Sequence, residues 1–297
     1  MILEKLAKKK LIHPPDWLIN NLQFLTQMGS HTYGTSQNDS DIDFYGIVVP
    51  RRDMVFPHLA GVIKGFGDQG KSFDQYQQHH VKDEEVGKEY DFTIISIVKV
   101  FELARQGNPN ILDMMFVPET CIAHSTQIGN LIRENRKEFL SKQCFKRFKG
   151  YAYSQIKLME NKEPVGKRKD RVEEFGYDTK YAMHLVRLLS QAEQILATHD
   201  MDLQLNREQH KAIRRGEWTK EQVLQFFHDK ERQLEELYVK STLRVQCDER
   251  KLKELLMNCL EIHYGDLSKC VSIPNEEKYI LNEIAQSIDR ARARNLI

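Results

Sequence analysis

Two short runs in this chain, Gly29-Ser30 and Asp41-Ile42-Asp43, combine residue types and spacing that can do chemistry. Ten residues separate Ser30 from Asp41. Alternate residues of a strand share a face, so Asp41 and Asp43 point the same way while Ile42 faces the core. Two carboxylates this close repel each other, and one pKa rises unless a cation lies between them. Hard oxygen donors of this kind suit Mg²⁺ or Mn²⁺. Phosphoryl transfer by two metals about 3.5–4 Å apart uses such a clamp, one metal activating the attacking hydroxyl and the other holding a triphosphate. Gly29, at a strand end, lets phosphates approach the backbone, and Ser30 adds a hydroxyl to the neighbouring amide donors. A third carboxylate is needed from a neighbouring strand. Asp91 is the first candidate and Glu89 the alternative.

The elements that must position these residues are legible in part. Leu22, Phe24 and Met28 fall on alternate positions and predict a strand ending at Gly29. Residues 41–49 predict a second strand, stopped by Pro50 and Arg51-Arg52. Residues 88–95 predict a third, with Tyr90, Phe92 and Ile94 on one face and Glu89, Asp91 and Thr93 on the other. A short helix over 1–10 is broken by Pro14-Pro15, and Ser96 caps a helix over 97–106 that Gly107-Asn108-Pro109-Asn110 stops. Residues 111–117 read as a short apolar segment, and 56–87 as loops or a short hairpin. From residue 119 the pattern is helical, with helices expected at 125–139, 141–161, 178–199, 206–215, 219–240, 248–263 and 275–294. Thr219 with Gln222, and more loosely Asn206 with Gln209, have capping-box spacing. The basic stretch 162–177 reads as a linker. The fold class is therefore α+β, with a catalytic domain over 1–118 and an all-helical domain over 119–297.

Composition narrows the function classes. Among 297 residues the net charge is +1, which argues against a protein that coats nucleic acid but leaves room for a local basic groove. No run approaches the ~18 apolar residues of a membrane span. Met1–Lys10 lacks the apolar region of a signal peptide. Five cysteines without a C-x-x-C pair read as reduced, mostly buried thiols of a cytoplasmic protein.

A second cluster lies after Asp178, which can cap the following helix. There Lys180, His184 and Arg187 stand at i, i+4 and i+7 and share a face, opposite an apolar stripe of Ala182, Leu185, Leu189, Ala192 and Leu196. Such a cationic face can bind the outer phosphates of a nucleotide, although a charged helix face is by default simply solvated. The run Lys167-Arg168-Lys169-Asp170-Arg171 can touch a nucleic-acid backbone or serve as a solvated loop. Tyr151, Tyr153, Tyr177 and Tyr181 can stack a base, but aromatics at such spacings are more often core. Residues 65–72 match G-x-x-x-x-G-K-S, yet no strong strand precedes them and no amphipathic helix follows, so a P-loop is disfavoured and Lys71 is expected to border the site. His58, His79 and His80 lack the spacing of a zinc site.

Strand, Gly-Ser, ten residues, Ser-Asp-Ile-Asp and a third acidic strand together resemble the signature of the DNA polymerase β nucleotidyltransferase superfamily. Gly107-Asn108-Pro109-Asn110, the run from Gly176 through Asp178-Thr179-Lys180 to Leu189, and Ile213 to Trp218 are similar to a bacterial and phage group called YcgL-like, some members of which carry RNA-repair labels. The resemblance covers nearly the whole chain. It implies a mixed sheet with flanking helices followed by a helical domain. It also implies transfer of a nucleoside monophosphate from an NTP such as ATP, with Mg²⁺ or Mn²⁺ held by Asp41, Asp43 and Asp91. Gly29 and Ser30 then bind the nucleotide with Lys180, His184 and Arg187, Lys180 being favoured. The preferred acceptor is an RNA 3′ end, with tRNA as one case. The rivals are nucleotidylation of a protein or small molecule, and an inactive nucleotide-binding or antitoxin-like module.

Overall fold

The computed structural model describes residues 1–35, 42–67, 72–161 and 167–271, with a few positions between 281 and 292. After helix α1 (Ile2–Lys8) come strands β1 (Leu22–Gln27) and β2 (Ile42–Val48), and a single-turn helix α2 (Arg52–Val55). Strands β3 (Gln75–Asp83) and β4 (Lys88–Ser96) form a hairpin, followed by α3 (Ile97–Arg105), α4 (Pro109–Phe116) and β5 (Ile122–Ser125). The helical remainder comprises α5 (Gln127–Glu134), α6 (Lys142–Asn161), α7 (Lys167–Phe175), α8 (Thr179–Thr198), α9 (Arg207–Arg214), α10 (Lys220–Lys240), α11 (Glu249–Tyr264) and α12 (Ser268–Val271).

The strands order as β3-β4-β2-β1-β5. Among the described strands only β2 and β4 pair in parallel, so the sheet is mixed and the fold is α+β. Strand β5 lies beyond residue 118, where the sequence pattern divides the chain, so the sheet crosses that division.

The sheet has two unlike faces. On one, Leu25, Phe44, Tyr90, Phe92 and Ile94 pack under Leu3, Leu6, Ile12 and Leu18 of the N-terminal segment. The Phe44 and Phe92 rings stack there with centroids 5.5 Å apart. On the other face, Phe24, Ile47 and Ile95 join a larger core built from α3 to α6, α8 and the later helices. Asp43 and Tyr45 share the parity of Ile47, and Asp91 and Thr93 that of Ile95. The acidic side chains therefore project from the face that the helices cover.

Several sequence expectations find their caps. The Ser96 side chain accepts from the Lys99 amide, Asp178 accepts from Lys180 and Tyr181, and Thr219 with Gln222 closes a capping box. Asn206 makes no side-chain cap bond. Others need correction. Residues 111–116 belong to α4, because Asn108 turns from stopping one helix to capping the next, accepting from the Asn110 and Ile111 amides behind Pro109. Gly107 reaches that turn at φ +76°, and a Cβ there would stand 2.9 Å from Cys144 Cα. Of the two readings of 56–87, loops or a short hairpin, Gln75–Asp83 takes the second as a nine-residue strand paired with β4; as an edge strand it needs no apolar alternation. Part of the basic stretch forms α7. Residues 272–280, which open the helix expected over 275–294, lie outside the described residues. All five cysteines are buried and unpaired. No described helix is long and apolar enough to cross a membrane.

Candidate active site

Strand β1 gives way at Gly29 to a tight turn running to Thr35. Gly29 adopts φ +73°, and a Cβ there would collide with Asp43 Oδ2. Glycine is thus required both by the backbone and by the carboxylate packed against it. The Met28 amide donates to the Asp43 carbonyl at 2.7 Å, fixing the two strands where the turn begins. Within the turn the Tyr33 amide donates to the Gly29 carbonyl (3.4 Å), Gly34 to His31 (3.1 Å) and Thr35 to Ser30 (2.8 Å). The Thr32 hydroxyl donates back to the Gln27 carbonyl at 2.8 Å, and Gln204 Nε2 donates to the Thr32 carbonyl at 3.2 Å.

Asp43 is the register partner of Asp91 across the parallel β2–β4 pair. Register partners on neighbouring strands lie about 5 Å apart and point to one side, so the two carboxylates stand side by side. Asp41 and the rest of the segment 36–41 lie outside the described residues. Opposite Asp91, β3 carries one extra residue: Gln78 pairs with Phe92 and Val81 with Tyr90, leaving His79 and His80 across from Asp91 alone. This is a β-bulge, with His80 at φ +57°. It delivers the His80 amide to Asp91 Oδ1 at 2.7 Å and His79 Nδ1 to within 3.6 Å of Asp91 Oδ2. His80 Nδ1 meets Glu89 Oε1 at 2.6 Å. Sequence reasoning passed over His79 as a neighbour of the carboxylates, because nothing in a run of Gln and His signals a bulge. Tyr45 sits beside the pair. Burial raises its phenol above the ordinary value, the nearby Asp43 carboxylate adds to this, and a hydrogen bond to Thr93 works against it.

These donors fit a hard divalent cation. Asp43 and Asp91, in register, could offer carboxylate oxygens to it. Among the described residues no group of three or more His, Cys, Asp and Glu has metal-holding geometry.

Helix α8 carries the second cluster of candidate residues. Its apolar stripe is buried as expected, but so are Tyr181, Val186, Ser190 and Gln191. Arg187 is only 5% exposed, so it does not lie on a solvated helix face, the default alternative to the phosphate-binding face on which its spacing put it. Its guanidinium pairs with Asp113 of α4 and lies 4.1 Å above the Tyr33 ring. Tyr33 Oη donates to Asp113 Oδ2 at 2.6 Å, Gln191 Nε2 donates to Asp113 Oδ1 at 3.0 Å, and Arg187 Nη1 donates to Gln191 Oε1 at 3.2 Å. Burial pulls the Arg187 pKa down, but Tyr33 and Asp113 outweigh it and hold the group charged. Lys180 is exposed and His184 half-buried. Helical rise places them about 10 and 5 Å before Arg187, on the side of α8 that meets the turn. Tyr177 and Tyr181 are core residues. Tyr151 accepts from Asn108, and Tyr153, 41% exposed, donates to Glu231. Of the P-loop-like stretch, residues 68–71 with Lys71 lie outside the described residues, and the next described element is strand β3 rather than a helix.

His210 lies close to Arg187, 2% exposed, with neither ring nitrogen hydrogen-bonded. Burial, and then the Arg187 charge, lower its pKa to about 4. In the unfolded chain the ring titrates near 6.5, so between these values the unfolded state binds a proton that the folded state refuses. Stability is full above about pH 6.5 and falls as the pH drops toward 4, by about 2 kcal/mol between pH 7 and pH 5. Urea unfolding at the two pH values should show this loss, and His210→Leu should remove most of it. An unchanged pH slope in the variant would assign the loss to other groups.

A 38.9 kDa protein encoded in the nrdC–mobD intergenic region of Enterobacteria phage T4 is 32% identical over 130 residues, which are 43% of this chain and 35% of the phage protein. The chain thus spans about a third of that relative's length. A solved nucleotidyltransferase-like protein from Exiguobacterium sibiricum aligns over 87% of this chain and 74% of its own at 8% identity, with a TM-score of 0.29, too low to carry an argument. The family described as the RNA repair pathway DNA polymerase beta family (RlaP) matches residues 3–257. With the match running from α1 into α11, this chain belongs to the RNA repair pathway DNA polymerase beta family.

Proposed function

We propose that the protein is a nucleotidyltransferase that moves a nucleoside monophosphate from an NTP, ATP being one candidate, to the 3′ hydroxyl of an RNA, tRNA included. The observation that carries this reading is the Asp43–Asp91 pair in register beside the Gly29 turn. Asp41, Asp43 and Asp91 would hold Mg²⁺ or Mn²⁺, which when bound would supply positive charge to the triphosphate and the attacking hydroxyl. Gly29 and Ser30 seat the phosphates, with Lys180 and His184 reaching in from α8. Arg187 is assigned to holding the turn. In the reaction the RNA hydroxyl oxygen bonds to the α-phosphorus, its proton passes to Asp91, and the bond to the departing pyrophosphate breaks. The family's RNA-repair description supports RNA as acceptor.

The test is incubation of the protein with Mg²⁺, each α-labelled NTP in turn and an RNA with a free 3′ hydroxyl. Label at the RNA 3′ end is the expected result. Label on protein or on a small molecule instead overturns the RNA acceptor and keeps the transfer chemistry. NTP binding without transfer to any acceptor favours the inactive binding module.

A further inference from the structure

We infer that Tyr33, Asp113 and Arg187 form a clamp through which the helical layer sets the shape of the Gly29–Thr35 turn for nucleotide binding. This inference rests on the reading of that turn as the phosphate seat. All three residues are buried, and they come from the turn, α4 and α8 respectively. Tyr33 is gripped at two points, its ring by the guanidinium and its hydroxyl by the carboxylate. Gln191 ties Asp113 to Arg187 from behind. The Tyr33 amide in turn donates to the Gly29 carbonyl, and Gly29 carries Asp43 against its bare Cα. One path of direct contacts therefore leads from α8 through Tyr33 and Gly29 to a carboxylate of the proposed metal site. A buried ion pair adds little net stability over apolar packing of the same shape. What this one adds is a fixed direction for a short turn that has few side chains to pack. The three are positioning residues; they act through the turn.

When only part of a population holds the binding-competent conformation, the apparent Kd rises by the inverse of that fraction. Tyr33→Phe removes the hydroxyl and leaves Asp113 paired with Arg187 and Gln191. Two readouts separate positioning from simple stability: hydrogen exchange of the 30–35 segment without ligand, and calorimetric binding of ATP with Mg²⁺. Expected for Tyr33→Phe is at least tenfold faster exchange confined to that segment and at least fivefold weaker ATP binding, with a melting temperature within about 3 °C of wild type. Arg187→Lys, which keeps the charge but loses the planar stack and fork, is a second variant expected to act in the same direction. ATP binding equal to wild type in both variants overturns the clamp, whatever the exchange shows. Weaker binding with uniformly faster exchange across the chain also overturns it, since that pattern marks general destabilisation. A wild-type protein that binds none of the four NTPs instead overturns the reading of the turn as a phosphate seat.

Discussion

Asp43→Asn is expected to lower nucleotidyl transfer by on the order of 10³-fold, since losing one metal-holding carboxylate forfeits several kcal/mol of transition-state stabilisation. The same change should leave the melting temperature unchanged or slightly higher. Asp43 stands beside Asp91 across a parallel strand pair, so the asparagine removes one of two like charges that repel in the metal-free protein. Asparagine has nearly the same shape, so the packing against Gly29 that excludes a Cβ there should persist. The expected signature is therefore a loss of transfer with no loss of fold, read by the label-transfer assay beside a thermal melt. Transfer within tenfold of wild type would remove Asp43 from the catalytic site. Loss of transfer together with a collapsed melt would mean that Asp43 serves structure, and the metal assignment would lose its support.

Asp113→Ala is expected to have the largest effect on stability, about 3–5 kcal/mol, the usual result of removing one partner from a buried ion pair. At roughly 2–4 °C per kcal/mol for a chain of this size class, the melting temperature should fall by about 6–20 °C. The reason is specific to the site. Asp113 is fully buried and accepts from Tyr33, Arg187 and Gln191 at once. Its loss strands a guanidinium that is 5% exposed and whose Nε already has no partner. The control is Asp113→Leu combined with Arg187→Met, which replaces the pair by apolar groups and should recover much of the loss, because the cost lies in the stranded charge. A single variant that loses less than about 1 kcal/mol in urea unfolding would show that water reaches Arg187 and that the pair is not sealed.

The two expectations probe opposite sides of one turn. Asp43 acts where Gly29 faces the sheet, and Asp113 where Tyr33 faces the helices. A deficit in transfer with intact stability locates chemistry on the first side. A deficit in stability with partial transfer locates support on the second.

Local chemistry made much of the sheet legible. The alternation of Leu22 to Met28 and of residues 41–49 predicts strands, and β1 and β2 lie there, although β1 is buried on both faces and an irregularity between Leu22 and Phe24 sends those two side chains into different cores. The alternation of Tyr90, Phe92 and Ile94 against Glu89, Asp91 and Thr93 separates the apolar face from the acidic one by parity alone. Caps at Ser96, Asp178 and Thr219 were readable because a side chain and an amide two or three residues away form a complete interaction. Where an element depends on remote partners, the sequence is silent. Strand β3 is polar because it lies at the sheet edge, and only pairing with β4 makes it a strand. The His79–His80 bulge exists only relative to Asp91 on the facing strand.

By itself, then, the sequence determined the ingredients: a glycine-serine turn after one strand, acidic residues spaced two apart on the next, a third acidic strand, and a capped helix carrying Lys180, His184 and Arg187. Spacing along a strand or helix follows from its own geometry, so those assignments needed no partner. Only the tertiary structure decided which carboxylate stands beside Asp43, because register between β2 and β4 is set by packing on both faces of the sheet. It alone turned Arg187 inward, because a helix surrounded by other elements has no solvated face at that level, and a cation there must find its counter-charge, Asp113, from an element 74 residues away.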